Sequence, residues 1–186
     1  MPRPHRSNAA GFTLTELMVV IAIMGITTAM AVFQAQVSLP AIHADGGMQV
    51  VMAQLNSARA LAISQRRNIE VNFIAPNEIQ LVRQEVPAGT TVLSLVPLES
   101  GVQFMQFPGV PDTPDAFGDA SAVDFGNATS MMFTSDGTFI DQTGTPLNGT
   151  VFLGIPHAAG SVRAVTVLGS TGRVSGYKWN GVQWGQ

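Results

Sequence analysis

Glu16 is the residue whose chemistry most needs an explanation. It stands four positions after Phe12 in "GFTLTELMVVIAIMGITTAMAVF", Gly11 to Phe33, and from Leu17 to Ala44 the only ionisable side chain is His43. A carboxylate at the middle of a membrane-spanning helix costs a few kcal/mol, and near one end it still needs a partner or water. Some group must therefore compensate it.

Other candidate chemistries are weaker. His43 and His157 are far apart in sequence and show neither triad-like nor metal-ligand spacing. Ser135-Asp136-Gly137 reads as a turn, because no G-x-S-x-G surrounds the serine. The acidic stretch with Asp112, Asp115, Asp119 and Asp124 has the oxygens that calcium favours, but its spacing matches no EF-hand. Asn127-Ala128-Thr129 and Asn148-Gly149-Thr150 match the glycosylation triplet, a pattern common by chance. Catalysis, a cofactor and a metal site are not expected.

The elements that position these residues follow from composition and period. The chain has 186 residues, 46% hydrophobic and only 11% charged, a balance that fits membrane or a tightly packed β-rich body. It has no cysteine, hence no disulfide frame and no thiolate metal site. Phe12 to Phe33 would be roughly 33 Å long as a helix, enough to cross a hydrocarbon core of about 30 Å. Arg3 and Arg6, with His5, precede it, so the positive-inside bias keeps the start in the cytoplasm and puts the rest across the inner membrane. A conventional secretory signal is an alternative, with Ala29-Met30-Ala31 as its small-x-small site and Val32 as the new start. The apolar run is longer than an ordinary signal needs. A plain signal anchor is the other alternative, and it leaves Glu16 unexplained.

Beyond the span, Pro40 should weaken the helix and Asp45-Gly46-Gly47 reads as a break or a cap for a new start. Met48, Val51, Met52, Leu55, Ala58 and Ala62 then form a helical stripe suited to lie against a sheet. Arg59 falls on or beside that stripe, to snorkel to water or to meet a carboxylate. Arg66-Arg67 fall at the helix end, where cations favour the dipole. From Asn68 onward the pattern is β: "NIEVNF", "EIQLVRQ", "TTVLSLV", "VQFMQF", "SMMFTSDGTFI", "GTVFLGI", "VRAVTVLG" and "STGRVSGYKW". Residues 108–124 read as a loop, and Asn180-Gly181 between Trp179 and Trp184 as a two-residue hairpin turn. The expected class is α+β, with a long N-terminal helix and an antiparallel β-rich body. The expected divisions are 1–11, 12–44, 45–67 and 68–186.

"GFTLTELMVVIAIMGI" resembles the N-terminus of type IV prepilins and of the pseudopilins of type II secretion: Gly11, then Phe12, then a glutamate at the fifth residue counted from Phe12, then a long apolar run. "LNSARALAISQRRNIEVNF", "FTSDGT" and "GSTGRVSG" resemble the GspH/FimT group of minor pilins and pseudopilins. The resemblance implies a pilin-like fold and cleavage by a prepilin peptidase after Gly11. It also implies N-methylation of Phe12 and an assembly role for Glu16, which would meet the amine of a neighbouring subunit. An intramolecular Glu16–Phe12 contact stays open. Implied partners are other pilin or pseudopilin subunits, an inner-membrane assembly platform and membrane lipid. Some FimT-like minor pilins serve DNA uptake through a basic tail starting at Gly-Arg. Here Gly172-Arg173 is present, but position 175 is Ser and only Lys178 adds charge. Removing Arg3 and Arg6 leaves seven Lys and Arg against twelve Asp and Glu, a balance of −5. A phosphate-tracking surface needs several cations, so nucleic acid is the runner-up partner, with Trp179 and Trp184 as stacking candidates.

Overall fold

The structure, a computed structural model, describes residues 11–186; Arg3, His5 and Arg6 lie outside the described residues. The chain divides into two compact units, one up to Leu39 and one from Pro40 to the end. A single helix, α1 (Leu14–Gln65), supplies residues to both.

In the first unit the apolar residues of α1 are largely uncovered among the described residues. Leu17, Ile21, Met24, Met30 and Phe33 are all more than half exposed. A helix apolar on every side belongs in lipid or among other helices, and this one is long and apolar enough to cross a membrane.

In the second unit the helical stripe is buried as its spacing predicts. Met48, Val51, Leu55, Ala58 and Ala62 are buried and Met52 is half-buried against the same core. The break expected at Pro40 and Asp45-Gly46-Gly47 is absent, because α1 runs through both. Two long-range contacts account for this. Gly47 lies so close to Val102 that a Cβ would come within 2.7 Å of the valine Cγ1. Asp45 caps nothing; it pairs with Arg163 at 2.6 Å. The helix closes after Gln65, with Arg66 in the left-handed conformation (φ 50°) and the Arg67 N–H donating to the Ala62 carbonyl at 3.3 Å.

The remaining chain forms two antiparallel sheets. The first uses β1 (Ile69–Ile74), β2 (Glu78–Gln84), β3 (Thr90–Pro97), β6 (Met131–Phe133) and β7 (Phe139–Asp141), in the order β3-β2-β1-β6-β7. The second uses β8 (Gly149–Gly154), β9 (Arg163–Leu168), β10 (Arg173–Trp179) and β11 (Trp184–Gly185), in the order β11-β10-β9-β8. The far edge of β8 is shared by β4 (Gln103–Phe104) and β5 (Val123–Asp124). Both sheets contribute to one core with α1: Ile69, Val71, Phe133 and Phe139 from the first, Val151, Leu153, Val165 and Val167 from the second. On the opposite face of the second sheet Phe152, Ala164 and Tyr177 are buried too, with Trp184 packed against them. That double burial explains why β8 and β9 read as apolar runs rather than alternating ones.

Three further expectations change. "VQFMQF" is a strand only over Gln103–Phe104, because β5 takes the neighbouring part of the β8 edge. The C-terminal hairpin pairs Trp179 with Trp184, so its loop is Asn180–Gln183 and not Asn180-Gly181 alone. The Asn180 side chain builds that wider turn by accepting from the N–H groups of Val182 and Gln183 at 2.9 and 2.8 Å. Arg59 is half-buried and meets a backbone carbonyl where a carboxylate was one expectation. Its Nε donates to the Gly137 carbonyl at 3.2 Å, and the turn at Gly172 closes over the same spot, where a Cβ would press on both. Residues of "SARA", "FTSDGT" and "GSTGRVSG" therefore meet at a single point of the body.

Leu55 is fully buried in this core. Leu55→Ala should lower stability by about 2–5 kcal/mol, whereas Asn56→Ala on the exposed side of the same turn should change it by less than about 0.5 kcal/mol. Thermal unfolding of the detergent-solubilised full chain measures both.

Candidate assembly site at the start of the helix

Glu16 is the third residue of α1 and Thr13 precedes its first turn. The Thr13 backbone N–H and hydroxyl both donate to Glu16 Oε2, at 2.9 and 2.8 Å, and the Glu16 N–H donates back to Thr13 Oγ1 at 3.2 Å. This is a reciprocal capping box, in which the threonine serves a backbone donor of the first turn and the glutamate serves the cap's own N–H. The carboxylate thus has partners inside its own chain, on Thr13, while the neighbouring Phe12 ring is 85% exposed. An acid in the first turn also favours the positive end of the helix dipole. The signal was present in the sequence: Thr13-Leu14-Thr15-Glu16 is T-x-x-E ahead of an apolar run.

The two cations considered for nucleic acid do not form one surface. Arg173 and Lys178 are an odd number of residues apart on β10, so their side chains leave opposite faces of the sheet. Each also faces a carboxylate: Lys178 lies 3.2 Å from Asp45 and Arg173 lies 3.8 Å from Asp115. The tryptophans pack on each other, with ring centres 5.3 Å apart and a tilt of 59°. Trp184 donates its indole N–H to the Pro111 carbonyl at 2.9 Å. These are the contacts of a closed hairpin, not of an open stacking platform.

The aspartates of residues 108–124 point to separate partners. Asp112 accepts from the N–H groups of Thr113 and Gly118, and Asp124 from those of Ala120 and Gly126. Asp115 accepts from Thr166 Oγ1 at 2.6 Å and the Tyr177 hydroxyl at 3.0 Å, pinning the loop to the second sheet. Burial pushes the Tyr177 hydroxyl up, and its bond to Asp115 adds to the shift. Among the described residues no group of three or more His, Asp or Glu is placed to hold a metal ion. Asp136 of the Ser135-Asp136-Gly137 turn is held at about 2 by hydrogen bonds from Thr134 and Thr138, so this stretch is a stiffened turn. Asn148 accepts from the Gly169 N–H at 2.8 Å, while Asn127 is exposed. His43 lies on α1 and His157 in the turn after β8.

Sequence spacing gave no sign of the most buried ion pair. Arg163 is 5% exposed, yet its guanidinium reaches Asp45 (2.6 Å) and the carbonyls of Ala41, Gly160 and Val162. Burial works against the charge on Asp45, but hydrogen bonds from Arg163 and Lys178, together with their charges, hold its carboxyl below the usual range. No local pattern ties residue 45 to residues 163 and 178.

Residues 6–32 match the family described as the prokaryotic N-terminal methylation motif. The N-terminus carries this methylation motif. The matched stretch holds Gly11, Phe12, Thr13 and Glu16, so the capping box lies inside it. Comparison with curated proteins by sequence found no match. Among solved structures, the fold is similar to that of the minor pseudopilin EpsH from the type 2 secretion system of Vibrio cholerae, with a TM-score of 0.51 and 13% identity. That similarity covers 73% of this chain and 97% of EpsH. The type IV minor pilin FimU of Pseudomonas aeruginosa is also similar, with a TM-score of 0.48 and 15% identity over 76% of this chain and 92% of FimU. The similarity to EpsH makes this a pilin-type fold.

Two measurements probe these sites. Thr13→Val removes a cap worth about 1 kcal/mol, so amide exchange at Glu16 and Leu17 in micelles should rise about fivefold, with Thr13→Ser close to the parent. Because the Asp45 carboxyl is depressed, its contribution to stability is full above an unfolded pKa of about 3.9 and is lost as pH falls through its lower folded value. Asp45→Asn should therefore melt below the parent at pH 7, and the gap should close once the pH is well under about 3.9.

Proposed function

We propose that the protein is a structural minor subunit of a type IV pilus or of a type II secretion pseudopilus, without enzymatic activity of its own. A prepilin peptidase removes residues 1–11, and Phe12 becomes the N-methylated first residue. The helix then holds the subunit in the inner membrane, with the body on the far side, until the assembly platform moves it into a filament of other pilin or pseudopilin subunits. The observation that carries the reading is the methylation motif over residues 6–32 on a helix whose apolar residues are unburied. The pilin-type fold of the body agrees with it.

In this reading Glu16 has two tasks in succession. Within one chain it completes the capping box with Thr13. In the filament its carboxylate meets the cationic amine of a neighbouring subunit's first residue, an opposite-charge pair in a setting where loss of one member is costly. Lipid or neighbouring helices cover the apolar surface from Leu17 to Phe33. The pairing of Arg173 and Lys178 with carboxylates gives nucleic acid no support.

Intact-mass analysis of the protein from native membranes should give a chain that begins at Phe12 and carries one added methyl group; a start at Val32 or an uncut Met1 would contradict the proposal. Glu16→Ala should be cut normally yet fall in the filament fraction by roughly a hundredfold, as expected for ~3 kcal/mol of lost pairing.

A further inference from the structure

The stretch of α1 from Pro40 to Gly47 is helical against its own composition. Pro40 has no N–H to give the carbonyl one turn back and crowds that turn. Gly46 and Gly47 follow, and glycine is the poorest helix former after proline. Gly47 has a packing reason, the close approach of Val102. Gly46 has none: it is exposed, and a Cβ there would meet nothing within 4 Å. Between these weak positions sit the two groups that the body grips. Arg163 Nε donates to Asp45 Oδ1 at 2.6 Å and its Nη2 to the Ala41 carbonyl at 3.3 Å, so one guanidinium spans a full turn of the helix. Lys178 Nζ lies 3.2 Å from Asp45 Oδ2 on the carboxylate's other side. The grip is firm at its base, because Arg163 is 5% exposed and Nη1 is fixed by the carbonyls of Gly160 and Val162 at 3.1 and 2.8 Å.

From this juxtaposition we infer that Arg163, Asp45 and Lys178 form a latch, which keeps residues 40–47 helical and whose release lets that stretch unwind while the rest of the body stays folded. The neighbouring turns differ in kind. Val51, Leu55, Ala58 and Ala62 are held by apolar burial, which no single ion pair controls. Residues 40–47 contribute only Ala44, Gly47 and one charged grip to the interior. Helicity there is conditional on the grip, as in other locally opening segments with little apolar burial. Unwinding would lengthen that backbone from about 1.5 Å to about 3.3 Å per residue. The latch stands on contacts within the body and does not depend on how the N-terminus is processed.

Hydrogen–deuterium exchange of the full chain in micelles, read by peptide mass, tests the latch. In the parent, amides of 40–47 should exchange faster than those of 51–62. Arg163→Met should speed exchange in 40–47 by about tenfold and leave 51–62 within about twofold. Adding Gly46→Ala should slow 40–47 again by about fivefold, since alanine restores helix propensity without touching the latch. If Arg163→Met fails to fold, Asp45→Asn, which keeps the size and an acceptor oxygen, decides the matter by the same readout. Unchanged exchange in 40–47 in the variant that folds, or an equal rise across 40–62, would overturn the inference. A Gly46→Ala addition that restores nothing would overturn it as well.

Discussion

A charged side chain at the entry to an apolar helix sets the terms for the first part of this chain. Glu16 precedes some 17 residues without an ionisable group, from Leu17 to Phe33, and a carboxylate in such a place survives only with donors at hand. Thr13 provides two of them, and takes the Glu16 N–H in return. The helix start is thereby fixed at Leu14, which leaves Gly11 and Phe12 outside it. The capping box stands between the Gly11–Phe12 bond and the helix.

The body follows a second constraint. Few charges are present, and several of the buried or half-buried ones fasten one element to another. Asp115 fastens the loop before β5 to β9 and β10, Arg59 fastens α1 to the turn at Gly137, and Arg163 fastens α1 to β9. Apolar burial supplies the driving force, and these polar contacts choose which of many similar apolar packings is adopted. Leaving any of them half-made would strand a buried polar group, which is costlier than never having it. Thr150 Oγ1 is the exception: buried, with no partner among the described residues.

Much of this was legible in the residues because it is local. The stripe from Met48 to Ala62 and the strands "EIQLVRQ" and "GTVFLGI" fall where their periods put them. The register Gly11, Phe12, Glu16 carried the methylation motif outright. The capping box is equally local, a T-x-x-E pattern with Thr13 three residues from Glu16 where the resemblance implied a neighbouring subunit's amine. What sequence could not give is long-range. Pro40 and Gly46-Gly47 read as a break, since nothing nearby reveals that Arg163 will hold the turn between them or that Val102 needs a glycine beside it. Arg173 and Lys178 looked like a pair along the chain, but pleating sends them to opposite faces and folding brings a carboxylate to each.

The central claim is that the Glu16 carboxylate, held by Thr13 in the single chain, is neutralised by the first residue of a neighbour once subunits assemble. Solid-state NMR on filaments built from two differently labelled pools addresses it directly, with carboxyl carbon labelled at Glu16 of this protein and amine nitrogen labelled at the first residue of the adjoining subunits. The account predicts dipolar dephasing between pools that places the two groups within about 4 Å. Dephasing confined to the nitrogen of the same chain, or none at all in filaments that contain the protein, would contradict it.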